Sequence, residues 1–182
     1  MIIGLTGFRH SGKTEVGKIL REQGFEIVSF GDEVRLERDA RGLPYDCDLH
    51  KLRIDLRKEF GAQYWGKRVL GRMDLNSGGK YIADGMRTLG DLDVLRKVPD
   101  FNLVGITAPD EIRWERCKKR GRPDDSQDYG EFIRRDMRDR SSKEGGLQSE
   151  ALFALRDYTI VNDCDLAALR LRTLGVLAQL EE

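Results

Sequence analysis

Gly7-Phe8-Arg9-His10-Ser11-Gly12-Lys13-Thr14 has the spacing G-x-x-x-x-G-K-[ST]. The apolar run at 2–6 reads as a strand, and residues 12–23 read as a helix closed by Gly24. A glycine-rich turn between strand and helix points successive backbone N–H groups at phosphate oxygens, and the helix N-terminus adds partial positive charge. In this arrangement Lys13 reaches the β- and γ-phosphates, and the Thr14 hydroxyl binds Mg²⁺. Gly7, Ser11, Gly12, Lys13 and Thr14 are therefore candidate ATP ligands, with Thr14 also the candidate metal ligand. Arg9 and His10 occupy variable positions, and His10 reads as a spectator.

Outward from the loop, strand-like and helical stretches alternate. Strands are expected at Glu26–Ser29, 81–83, Phe101–Thr107 and Tyr158–Val161. Helices are expected at 47–70, 89–97, 110–140 and 165–180, with Leu49, Leu52, Leu56 and Phe60 forming one apolar stripe. Leu166, Leu169, Leu177 and Leu180 are expected to face inward. Five strands separated by helices predict an α/β fold, a three-layer P-loop arrangement with a five-stranded parallel sheet. The chain of 182 residues fits one domain. Its core is expected at 1–31, 79–110 and 155–182, with a helical acceptor-binding insert at 32–78 and a lid at 111–150. Gly145-Gly146 is either a hinge or a loop.

Composition narrows the classes. Lys and Arg total 32 against 32 Asp and Glu, so the net charge is zero. This argues against a nucleic-acid partner, because backbone binding needs clustered positive charge. No apolar run reaches the ~18 residues of a membrane span, and the first residues lack signal-peptide character. Cys47, Cys117 and Cys164 are scattered, which predicts buried reduced thiols and a cytoplasmic location. With only His10 and His50 besides, a Cys/His metal cluster has too few ligands at plausible spacing.

Segments beyond the loop supply candidates for a second substrate. Gly31, Asp32 and Arg35 follow the second strand, where Asp32 caps a helix, serves the site, or does both. Asp84, Gly85 and Arg87 emerge at the carboxyl edge of the sheet, where α/β proteins bind ligands. Residues 113–140 hold ten Lys/Arg and seven Asp/Glu, with Arg134 and Arg138 on one helix face. Arginine there suits the charge that spreads over a phosphoryl group in transfer. Lys13, Asp32, Arg87 and Arg134 are the catalytic candidates.

The chain resembles the UPF0200 family of predicted nucleotide kinases, relatives of dephospho-CoA kinase and adenylate kinase. The match runs through 7–13, F-G-D-E-V-R at 30–35, A-D-G-M-R-T-L at 83–89, K-R-G-R-P-D-D at 119–125, F-I-R-R-D at 132–136 and D-Y-T-I-V-N-D at 157–163. The resemblance implies acceptor binding by Gly31, Asp32, Arg35, Asp84, Gly85 and Arg87. It also implies ATP binding by lid arginines Arg120 and Arg122 and by Asn162. Two departures stand out: no proline precedes Arg87, and Arg9 and His10 replace small loop residues. The implied activity is Mg²⁺-ATP-dependent phosphoryl transfer to a small-molecule nucleotide or nucleotide-like acceptor, by a monomer or small homo-oligomer. The alternatives are dephospho-CoA-kinase-type phosphorylation of a sugar hydroxyl, and an ATP-binding regulatory switch.

Overall fold

The computed structural model describes residues 1–122, 125–141 and 148–182, without the side chain of Ser141. Five strands, β1 (Ile2–Gly7), β2 (Glu26–Ser29), β3 (Tyr81–Asp84), β4 (Phe101–Thr107) and β5 (Tyr158–Val161), form one parallel sheet in the order β2-β3-β1-β4-β5. The loop-bearing strand β1 is central. Its register pairs Leu5 with Asp84 on one side and Thr6 with Gly105 on the other. Asp84 therefore ends beside the start of the phosphate loop.

Alternation along β1 sends side chains to opposite faces. Ile3 and Leu5 pack with Val16, Ile19 and Leu169 on the face covered by α1 (Lys13–Glu22) and α9 (Leu166–Leu180). Ile2 joins Phe30, Trp65 and Leu95 on the other face. That face carries α2 (Phe30–Ala40), α3 (Leu49–Phe60), α4 (Tyr64–Leu70), α5 (Leu89–Leu95) and α8 (Ser149–Ala154). The remaining helices, α6 (Asp110–Arg120) and α7 (Tyr129–Ser141), stand near the phosphate loop.

The fold class follows the expectation, while several boundaries do not. The helix expected at 47–70 is two helices, because Gly61 has φ 94° and ends α3. Leu56 of the predicted stripe is buried, but Phe60 is exposed and stacks on Tyr64. Leu166 is also exposed, at the first turn of α9. The helix α2 begins at Phe30, with the Ser29 hydroxyl accepting hydrogen bonds from the Gly31 and Asp32 amides. Asp32 sits inside the first turn and is not the cap. Helix α8 has no counterpart in the expectations. Among the described residues no helix is long and apolar enough to cross a membrane. Cys117 is buried, Cys47 half-buried and Cys164 exposed, and all three are free thiols. Pro123, Asp124 and the Gly145-Gly146 pair lie outside the described residues.

Candidate active site

A cleft of about 520 Å³ opens over the carboxyl edge of β1 and β3. Its floor is the phosphate loop, whose backbone turns three times through positive φ, at Gly7 (141°), His10 (58°) and Gly12 (105°). A Cβ on Gly7 would lie 2.1 Å from the Ile106 carbonyl oxygen, and one on Gly12 would lie 2.1 Å from Asn162 Nδ2. Gly7 is thus required by space as well as by dihedral angle, and Gly12 by its dihedral angle.

The Lys13 ammonium donates to the Gly7 and Phe8 carbonyls, at 2.8 Å each. Burial, reinforced by the Arg87 guanidinium, pushes its pKa down to about 8. Thr14 and Asp84 line the same cleft. Their hydroxyl and carboxylate oxygens are hard donors of the kind Mg²⁺ selects. Among the described residues, the buried Ser11 Oγ and Arg87 Nε have no hydrogen-bond partner. Orphaned polar atoms beside this loop, with the glycine cradle, fit a polyanionic nucleotide and its magnesium ion.

A family model described as an AAA domain matches residues 3–141. A UPF0200 protein of Methanothermobacter thermautotrophicus is 30% identical over 183 aligned residues, covering 100% of this chain and 92% of that one. The chain belongs to the UPF0200 family. Solved structures extend the likeness of fold. Shikimate kinase from Acinetobacter baumannii superposes with a TM-score of 0.58 at 20% identity, covering 99% of this chain and 92% of that one. A gluconokinase from Sinorhizobium meliloti gives 0.57 at 18%, covering 98% and 91%.

The remaining predicted residues of this UPF0200 chain fall into three groups. Gly85 and Arg87 line the cleft with Asp84. Burial, and next Arg9, hold the Arg87 pKa below its ordinary value. Asp32 and Arg35 instead pair with each other at 2.5 Å on the exposed side of α2, with Gly31 beside them.

Arg120 lines the cleft while its Nε donates to Asp125 Oδ2 at 2.9 Å. Arg122 and Arg134 are exposed and do not line it. Helix periodicity explains Arg134. Phe132, Asp136 and Arg140, four residues apart, form the α7 face toward the loop, and Arg134 projects from the opposite side. Asn162 acts on the loop itself, its Nδ2 donating to the Ser11 carbonyl at 2.8 Å.

Three arginines were missed. Arg113, fully buried, donates a fork to Asp136 (2.7 and 2.9 Å) and a third bond to the Arg9 carbonyl (3.0 Å). Burial alone would raise the Asp136 carboxyl, but Arg113 holds it below the usual range. Arg116 donates to the Asn162 carbonyl and side-chain oxygens at 3.0 Å each, and lines the cleft. Arg53 on α3 is half-buried, and no carboxylate among the described residues forms an ion pair with it. Burial, then the Arg87 and Arg57 charges, push its pKa down to about 10. The three-residue spacing of Arg113 and Arg116 was the one available signal. Nothing local marks Arg53.

Proposed function

We propose that this protein transfers the γ-phosphoryl group of Mg²⁺-ATP to a small anionic, nucleotide-like acceptor. The observation that carries the reading is the meeting of two cations, Lys13 from the phosphate loop and Arg87 from the β3 edge, in one cleft with Asp84. Residues Gly7 to Thr14 bind the donor phosphates, and Thr14 with Asp84 would hold the magnesium ion. That ion supplies charge neutralisation between the phosphates. Lys13 stabilises charge growing on the transferred group, and Arg87 holds the acceptor anion in line. The acceptor oxygen forms the new P–O bond as the bond to the β–γ bridging oxygen breaks, releasing ADP. Arg53 on the insert lies within electrostatic reach of Arg87, and no carboxylate among the described residues forms an ion pair with it. That supports a negatively charged acceptor.

Asp32 supports a second reading. Its carboxylate, exposed on α2 just after β2 and paired with Arg35, is the candidate base for a hydroxyl acceptor. Shikimate kinase and gluconokinase, by their names, act on hydroxylated acids. The test is a screen of nucleoside monophosphates, dephospho-CoA and hydroxy acids with Mg²⁺-ATP, read by mass spectrometry. A new phosphoanhydride supports the first reading, and a new phosphomonoester supports the second. ATP hydrolysis independent of any acceptor overturns both in favour of a regulatory switch.

A further inference from the structure

The thin supply of histidine and cysteine made a Cys/His metal cluster implausible from spacing alone, yet the fold assembles a mixed one. His10 from the phosphate loop, Cys117 from α6 and Asp125 from the segment after α6 bring one donor atom each within 4.8 Å of one another. Cys117 and Asp125 are buried, and the His10 side chain is only 6% exposed. We propose that these three residues bind a borderline divalent transition-metal ion, zinc or cobalt, and thereby tie the phosphate loop to the end of α6. His10 lines the same cleft as Thr14 and Asp84, but the three donors are not shared with that pair, and the proposal does not depend on the phosphotransferase reading.

The donor chemistry selects the ion. Thiolate and imidazole suit Zn²⁺ and Co²⁺, whereas Mg²⁺ prefers oxygen alone. Three protein ligands with water completing a tetrahedron is a common zinc arrangement. Bonds of about 2.0–2.3 Å place tetrahedral ligands roughly 3.3–3.8 Å apart. His10 Nε2 and Asp125 Oδ1 are 3.9 Å apart, so small side-chain turns close the site. His10 is presented by its left-handed backbone, and burial, then Arg120, push its pKa down to about 4. The neutral imidazole is the form that ligates.

Charge is the opposing consideration. Arg9, Arg113 and Arg120 all act on His10, and Arg120 already holds Asp125. Binding balances this as follows. The Cys117 S–H bond breaks, its proton passes to solvent and the sulfur lone pair forms the metal bond. Thiolate and Asp125 then offset the two charges of the ion. The Arg120 side chain, 38% exposed, can turn outward to release one carboxylate lone pair.

The experiment titrates Co²⁺ into nucleotide-free, magnesium-free protein carrying Cys47→Ser and Cys164→Ser, so that Cys117 is the remaining thiol. The expected result is one ion per chain, a thiolate-to-cobalt charge-transfer band with tetrahedral d–d bands, and about one proton released per ion in weak buffer. His10→Asn, which tolerates the left-handed backbone, should weaken Co²⁺ binding at least ~10-fold while circular dichroism stays unchanged. Cys117→Ser should abolish the charge-transfer band. Absence of the band in the parent protein, or a band that survives both substitutions at undiminished affinity, overturns the proposal.

Discussion

The cations of the cleft floor and those of the α6–α7 region differ in what holds them. Among the described residues, Lys13 donates to backbone carbonyls alone, and Arg87 leaves a buried Nε without a partner. Arg113 and Arg140, by contrast, converge on Asp136, and Arg120 is held by Asp125. A guanidinium already forked onto a carboxylate loses that bond when it turns to a phosphate. The comparison separates groups placed to meet a ligand from groups that brace the loop that meets it.

The largest test of that division is Lys13→Ala. Loss of one preorganised charge at the transferring group should lower the transfer rate by about 10²–10³ in steady-state assays, with the thermal unfolding midpoint nearly unchanged. A near-normal rate breaks the comparison at its first member. Asp136→Asn probes the braced side. Removing one partner of a buried pair costs about 3–5 kcal/mol, so the urea midpoint should fall sharply. An unchanged midpoint would show that Arg113 and Arg140 are not braced by that carboxylate.

Arg87→Ala should reduce transfer to a phosphate acceptor at least about tenfold, an order expected for a charge-assisted contact, while Arg134→Ala changes it less than twofold. Asp32→Asn sharpens the acceptor side. For a hydroxyl acceptor the rate should drop at least tenfold, and by up to the ~10²–10⁴ of a lost general base, and for a phosphate acceptor it should barely change. Measured kcat values with both acceptor types decide.

The smallest effect is on pH. Burial lowers the Lys13 pKa to about 8 in the free protein, so its ammonium is complete below that value and lost above it. ATP affinity should therefore weaken as pH rises through 8, by at most tenfold per unit, and calorimetry near pH 8 should record proton uptake on binding. The same depression opposes folding most at low pH. That penalty eases between about 8 and 10.5, where the unfolded chain still holds the proton. A flat affinity profile would break the assignment of Lys13 as the phosphate-facing cation.

The sheet and the phosphate loop were legible because their signals are local: an apolar run, a fixed glycine spacing and a lysine at one offset. Asp84 and Arg87 were legible because a parallel strand delivers whatever follows it to the same edge. Arg113 and Arg116 were not, since their partners lie 23 and 46 positions away, and neither was Arg53, which forms no ion pair among the described residues. Arg134 looked as good as Arg113 until the phase of α7 against the loop was known. His10 and Cys117, 107 positions apart, carried no signal of meeting.

Asp91, buried on α5, connects the insert to the loop after β3. Its buried carboxylate accepts from the Arg57 guanidinium at 3.1 Å, from the Thr88 amide at 3.1 Å and from the Arg87 amide at 3.3 Å. One side chain thus pins helix α3 of the insert to the backbone that aims Arg87. A change in the position of Arg57 on α3 would be felt at the Arg87 and Thr88 amides through this one carboxylate. The α3 helix and the backbone at Arg87 and Thr88 therefore share a single buried anchor, Asp91.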